Sequence, residues 1–282
     1  MFDTVEKWRN STIQHGPMNS RVYIMHLSRE DFPEIIRAVD ALAEEKGYEK
    51  IFAKVPATLG PGFERRGYRR EALIPGFFRG RDDVAFLSRY LHRDRGVEKY
   101  AEEMALILEG ARNQRCAPSL TAETPLSGID LCQPSDAEEM SRLFKKVYRT
   151  YPFPIFDPSY LVETMGSHVR YFCVRKGKGM VAIGSAEMDR DNLSVEMTDF
   201  ATLPDWRGQG WASRLLVRME THMAREGVRT AFTIARALSV GMNRVFAKEG
   251  YLYAGTLTNN THISGHIESM NVWYKPLKKT EG

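Results

Sequence analysis

At 282 residues the chain has room for one large domain or two modest ones. Its 43% hydrophobic and 27% charged residues are ordinary for a globular protein, and a net charge of +4 spread over scattered Lys and Arg gives no reason to expect a nucleic-acid partner. The opening MFDTVEKWRN lacks the apolar stretch of a signal peptide and no run approaches the ~18 apolar residues of a membrane helix, so a soluble, cytoplasmic protein without a membrane partner is expected.

Residues 1–20 read as an N-terminal extension. A strand is predicted over 21–27, and Ser28 with Asp31 is placed to start a helix running to 45. A strand over 50–55 follows, then a short helix that ends within 63–67, and two strands over 69–78 and 84–90 joined around 80–83 as a hairpin. A helix over 97–112 and a polar, Pro-containing stretch over 116–128 lead into the second half.

There Ser135 and Glu138 form a capping-box pattern, opening a helix to about 148 with Met140, Leu143, Phe144 and Val147 on one face. The stretch YPFPIF, 151–156, is predicted as a loop. Strands over 170–175, 180–188 and 193–203 precede a helix over 210–226, a strand over 230–235, a short helix over 240–249 and strands over 251–257 and 268–274. Strands alternating with helices imply an α/β fold with a mixed sheet and a crossover connection.

The pattern Phe63-x-x-x-Gly67-Tyr68 returns as Phe246-x-x-x-Gly250-Tyr251, each time after a strand–helix unit and before two strands. The division that follows is an extension over 1–20, a degenerate half-domain over 21–92, a helix and linker over 93–125, and a complete domain over 126–277.

Chemistry concentrates in TDFATLPDWRGQGWA, 198–212. A strand ends, Pro204 turns the chain, and Arg207-x-x-Gly210-x-Ala212 opens a helix whose first turn points unpaired N–H groups outward. With the positive helix terminus, this makes an anion site suited to a pyrophosphate. Neither G-x-x-x-x-G-K-[ST] nor G-x-G-x-x-G with a trailing acid is present. An ordinary Gly-rich helix start would share the local spacing, and the surrounding elements favour the ligand site. The three cysteines, Cys116, Cys132 and Cys173, have no zinc or redox spacing and suit a reducing compartment. His262 and His266 lack a third ligand of matching spacing, so no metal is assigned.

The loop Arg207-x-x-Gly210-x-Ala212 after a strand resembles the [Q/R]-x-x-G-x-[G/A] loop of the GNAT superfamily of acetyl-CoA-dependent N-acetyltransferases. IPGFFRG, VAFLSRYL and NNTHISGHIESMNVWYKPL, together with the loop, resemble the β-lysine N-acetyltransferases over roughly 20–277. The resemblance implies a GNAT fold preceded by a degenerate GNAT-like half, with acetyl-CoA as co-substrate and a small-molecule amine as acceptor; a homodimer is compatible with it. It implies that Gly208, Gln209, Gly210, Trp211, Ala212 and Ser213 hold the CoA pyrophosphate with Arg207, and that Phe200, Ala201 and Thr202 pair with the pantetheine arm. Asn243 and Arg236, at the exit of the adjacent strand, are candidates for contact with CoA or, equally, for helix-surface or cap positions.

An acceptor ammonium near pKa ~10.4 must lose a proton before it attacks, and a carboxylate is the natural base. Glu196 stands eleven residues before Arg207, where many GNAT enzymes place such a glutamate, and Asp199 is a second candidate of opposite strand parity. The family's usual acid Tyr is replaced by Phe246, leaving either unaided departure of the thiolate or a substitute, Tyr251 or Tyr253. For the acceptor, Tyr151, Phe153 and Phe156 in the loop and Asn271 in the final hairpin are candidates, the alternatives being a loop packed into the core by its aromatics and a hairpin residue on a solvent face. Direct transfer within a ternary complex suits the cysteine-poor site better than an acyl-enzyme. The alternatives are a GNAT acting on a polyamine, an amino sugar or a protein lysine, or a non-catalytic acyl-CoA sensor, which Phe246 keeps open.

Overall fold

The computed structural model describes residues 3–116, 128–177 and 179–278, so most of the expected linker lies outside the described residues. Strand formation begins earlier than the apolar pattern predicts. Thr4–Trp8 (β1) pairs antiparallel with Ser11–Gly16 (β2), which pairs antiparallel with Arg21–His26 (β3), so the first segment extends the sheet. β1 is a solvated edge strand with no buried residue, and alternation therefore gave it no signal.

The helix expected from Ser28 starts six residues later, as Glu34–Lys46 (α1). Ser28 makes no side-chain cap. Buried Asp31 is instead engaged by the Ser11 hydroxyl (2.6 Å) and the Asn10 N–H (3.0 Å), which tie the β1–β2 turn to this corner. Ile35, Ile36, Val39 and Ala43 of α1 cover the sheet. Lys50–Pro56 (β4), Gly60–Glu64 (α2), Arg69–Phe78 (β5) and Asp82–Tyr90 (β6) then follow much as predicted. Ala101–Arg112 (α3) starts four residues after the expected position.

Ile129–Leu131 (β7) opens the second half. The capping box forms two residues upstream of the predicted one, between Gln133 and Asp136, because Pro134 suits the first helical position. It opens a short turn that continues as Ala137–Val147 (α4). Pro158–Met165 (α5), not foreseen, is capped by Asp157 accepting from the Ser159 N–H at 2.9 Å. Val169–Lys176 (β8), Gly179–Asp189 (β9), Ser194–Thr202 (β10), Trp211–Arg225 (α6), Thr230–Arg236 (β11) and Val240–Lys248 (α7) keep their predicted places. Leu252–Ile263 (β12) and His266–Pro276 (β13) make a longer hairpin than expected.

The thirteen strands among the described residues form one sheet, in the order β1-β2-β3-β4-β6-β5-β12-β13-β11-β10-β9-β8-β7. Read outward from the β5–β12 junction, the two halves repeat each other. The parallel pair β3/β4, bridged by α1, matches β10/β11, bridged by α6; the antiparallel hairpin β5–β6 matches β12–β13. The repeated sequence motif is the same structure twice. Tyr68 N–H bonds the Phe63 carbonyl and Tyr251 N–H the Phe246 carbonyl, at 3.3 and 3.0 Å, and each ring pair lies edge-on at 5.2 Å.

The halves clasp each other reciprocally. Near the β5–β6 turn, Arg79 N–H bonds the Asn192 carbonyl (2.7 Å), and the Thr230 hydroxyl bonds the Gly76 carbonyl (2.8 Å). Across the pseudo-twofold, His262 N–H bonds Asn19 Oδ1 (2.7 Å) and Lys50 Nζ bonds the Thr258 carbonyl (2.7 Å). Tyr23, Phe52, Phe77 and Phe86 of the first half share one core with Phe232, Leu257 and Met270 of the second.

At the seam, Gly255 pairs with Ala72, and a Cβ on Gly255 would stand 2.0 Å from the Glu71 carbonyl oxygen. Glu71 gathers this seam. Its buried carboxylate accepts from Lys50 Nζ (3.3 Å), Ser88 Oγ (2.5 Å), the Thr258 N–H (3.2 Å) and the Tyr90 hydroxyl. Burial pulls the Lys50 ammonium well below its ordinary value against the attraction of Glu71. Replacement Glu71→Ala would leave that buried cation without its carboxylate and remove the shared acceptor of three further donors, and is expected to cost about 3–5 kcal/mol. Urea unfolding of the two proteins checks it; a cost below about 1 kcal/mol would refute the role given to this carboxylate.

Candidate active site

β10 and β11 pair in parallel only from Ser194↔Thr230 to Glu196↔Phe232. Beyond that point β10 carries a bulge between Thr198 and Ala201, with Asp199 in the left-handed region at φ 52. A bulge bends its strand and ends local pairing. β10 stays on β9 through Ala201↔Ile183 and Thr202↔Ala182, and its other edge swings free of β11. The splay opens a cavity of about 740 Å³ that runs from the start of α6 to β3 and β4 of the first half.

At one end, a short turn over Pro204–Trp206 leads through Arg207 to Gly208 and Gly210, at φ 77 and 76. A side chain at either glycine would meet nothing within 4 Å, so backbone conformation rather than space requires glycine there. Gly210 is the N-cap of α6 and offers no side chain to cap it, so the first-turn N–H groups stay open toward the cavity. Phe200, Thr202, Arg207, Gly208 and Gly210 line this end, with Trp211, Ala212 and Ser213 behind them. Strand alternation turns Ala201 into the core, and Gln209 is exposed and accepts from Trp211 Nε1 at 3.3 Å. An uncapped helix start beside an open strand edge fits a long cofactor arm ending in phosphates.

Asn243 lies outside the cavity. Its side-chain amide donates to the Arg236 (3.0 Å) and Ser239 (2.8 Å) carbonyls, and its Oδ1 accepts from Asn271 Nδ2 (2.9 Å) and Trp273 Nε1 (3.0 Å). This knot holds the end of β11 to the start of α7, and it also withdraws Asn271 from the acceptor side. Phe246 lines the cavity, edge-on to Phe200 at 5.8 Å. Tyr251 lies behind Phe246, fully buried, and burial with the nearby Glu220 raises its hydroxyl well above the ordinary phenol value.

At the other end the bulge corrects the strand parity, so Glu196 and Asp199 both line the cavity, with Glu187 beside them. Asp199 is held by the Tyr151 hydroxyl (2.5 Å) and Ser185 Oγ (2.6 Å). Burial pushes it up to about 6, with those two donors opposing. Glu196 accepts from no side chain among the described residues; burial, then Glu187, push it up to about 8, against the pull of Lys54. Glu187 and Glu196 are direct cross-strand neighbours, a like-charge pairing that strands ordinarily avoid. Tyr151 and Phe153 line the cavity as expected, whereas Phe156 packs into the core around α4. Arg21, Tyr23 and Lys54 of the first half complete the wall, and no local signal in the sequence marks them.

Residues 137–251 match the model of the acetyltransferase (GNAT) family, and 94% of the chain aligns with an N-acetyltransferase at 39% identity, so it belongs to the GNAT N-acetyltransferases. In particular, it is 39% identical over 266 residues to the β-lysine N(6)-acetyltransferase of Methanococcus maripaludis, covering 94% of this chain and 96% of that one. It is 32% identical to the N-acetyltransferase YodP of Bacillus subtilis, over 95% and 96% of the two chains. Among solved structures, the ribosomal-protein-S18-alanine N-acetyltransferase of Escherichia coli matches 54% of this chain and 94% of its own, at 16% identity and a TM-score of 0.47.

Gly210→Ala forces a Cβ into the left-handed region and is expected to raise the acetyl-CoA Kd about tenfold at about 1–2 kcal/mol of lost stability, measured by calorimetry and thermal unfolding. Tyr251→Phe is expected to leave kcat within about twofold; a loss of about 100-fold would place a proton-transfer role on that hydroxyl.

Proposed function

We propose that the protein transfers the acetyl group of acetyl-CoA to the N6 amine of β-lysine, with Glu196 as general base. The observation that carries this reading is the carboxylate of Glu196, unpaired by any side-chain donor and raised to about 8, set where β10 leaves β11. Similarity to relatives named for the same reaction supports the choice of acceptor.

Acetyl-CoA supplies an activated acetyl thioester. The N–H groups from Gly208 to Ser213 would bind its phosphates, and the freed edge of β10 would align its arm. At the acceptor end, Glu196, Glu187 and Asp199 attract the two ammonium groups, and the Tyr151 and Phe153 rings exclude water around them. A carboxylate near 8 holds a proton more tightly than an ordinary glutamate and so accepts one from an ammonium with less penalty. Asp199, fixed by Tyr151 and Ser185, positions this end of the pocket. Phe246 has no proton to give, so the departing sulfur relies on its own ordinary acidity, near pKa ~8.5.

Glu196→Gln is expected to lower kcat about 100- to 1,000-fold without changing the acetyl-CoA Kd. Because the base acts when deprotonated, kcat/KM for the wild-type protein should rise with pH and level off above about 8, and in Glu196→Gln this break should vanish, leaving a rise that follows the free-amine fraction of the acceptor toward its pKa of ~10.4. Thiol release followed with β-lysine, α-lysine and spermidine as separate acceptors tests the substrate; equal rates with all three, or none with β-lysine, would overturn it.

A further inference from the structure

We propose that Arg21, contributed by the first half, binds the carboxylate of the acceptor and so selects amino-acid acceptors over simple diamines. This rests on the function proposed above and concerns the end of the acceptor that the acidic wall does not serve.

Arg21 opens β3, is 5% exposed and lines the cavity. One terminal nitrogen donates to the Asn260 carbonyl and, at 3.3 Å, to Thr261 Oγ1. Its Nε is buried without a partner, and its other terminal nitrogen makes no hydrogen bond among the described residues. It forms no ion pair there, while the Tyr23 and Phe52 rings, 5.3 and 5.6 Å away, hold the guanidinium from the side. A buried cation without an anion is costly, and burial draws Arg21 down to about 10, with Tyr23 and Asp3 opposing.

Of the cavity's other cations, Arg236 and Arg207 are hydrogen-bonded within this chain. Arg236 is bidentate to buried Glu268, at 2.9 and 2.6 Å. Lys54 lies in the field of Glu196 and Glu187, and Arg207 bonds the Thr202 carbonyl at the cofactor end. Arg21 therefore presents two donor nitrogens without a partner among the described residues, and a carboxylate is the group its planar fork suits. Beside it, the buried Oδ1 of Asn260 also lacks a partner, and can take the ammonium next to that carboxylate.

The fold does not require arginine here. At the pseudo-equivalent position, where β10 starts its parallel pairing with β11, stands Ser194. A cavity with carboxylates at one wall and a bare guanidinium at another is complementary to a diamino acid and not to a diamine.

The test compares acetyl transfer to β-lysine and to 1,4-diaminopentane, which is β-lysine without its carboxylate. Wild-type protein is expected to favour β-lysine about 30-fold or more in kcat/KM, and Arg21→Gln to bring the two acceptors within about threefold by raising KM for β-lysine. Arg21→Lys should restore part of the preference. Retention of the full preference in Arg21→Gln, or a proportional loss on both acceptors, overturns the proposal. Failure of the wild-type protein to use either acceptor overturns the substrate reading and this proposal with it, whereas transfer to both without preference overturns this proposal alone. On wild-type protein, 3-aminobutanoate should compete with the acceptor and isopropylamine should not. Equal inhibition by both would refute the proposal even if the glutamine variant does not fold.

Discussion

The whole molecule depends on the close approach of β5 and β12. Each half has its own parallel pair and its own helices, and the two become one sheet where Ala72 meets a residue with no side chain, Gly255. Glu71 fixes that meeting from inside by binding groups on β4, β6 and β12. With the seam closed, the hairpins cross between halves and β3 and β4 arrive as the far wall of the β10/β11 cavity. The Arg21 end of the cavity is thus completed by the seam, and the end beside Gly208 and Gly210 by the second half alone.

This division explains what could be read from residues in order. The glycine loop before α6 was legible because its requirements are local: two glycines at positive φ, an uncapped helix start and a preceding strand. The repeat was legible because Phe63–Tyr68 and Phe246–Tyr251 close the same turn with the same ring packing. The acceptor wall was not. A period of two placed Glu196 and Asp199 on opposite faces, and the bulge that reunites them has no sequence signature of its own. Glu187 becomes a candidate once the β9–β10 register sets it against Glu196. Arg21 and Lys54 lie far from the loop along the chain and needed the tertiary fold. Asn243 and Asn271 carried the right chemistry for a site, and the structure uses it to satisfy buried backbone carbonyls and each other.

The repeat also shows how two similar corners of the fold come to differ. Where the second half has Gly208 and Gly210 before α6, the first has Phe32 and Pro33 before α1. The Phe32 ring packs against Gly62 of α2 so tightly that a Cβ there would lie 2.3 Å from it, and it rests on Phe63 at 5.9 Å. The matching space in the second half, between α6 and α7, is open and forms part of the cavity. One bulky apolar side chain therefore separates a packed corner from a binding cleft.

The pseudo-twofold has a further consequence when seen as a symmetry that is allowed to break. Two separate copies of one half, paired around a true twofold axis, would have to carry identical residues at equivalent positions. Any cation placed in one wall would then also appear at the start of the strand that presents the base on the other side. Joined in a single chain, the two positions are free to diverge, and they have done so: arginine at 21, serine at 194. Tandem linkage thus lets the two equivalent strand starts differ, arginine in one half and serine in the other, which two identical half-chains could not do.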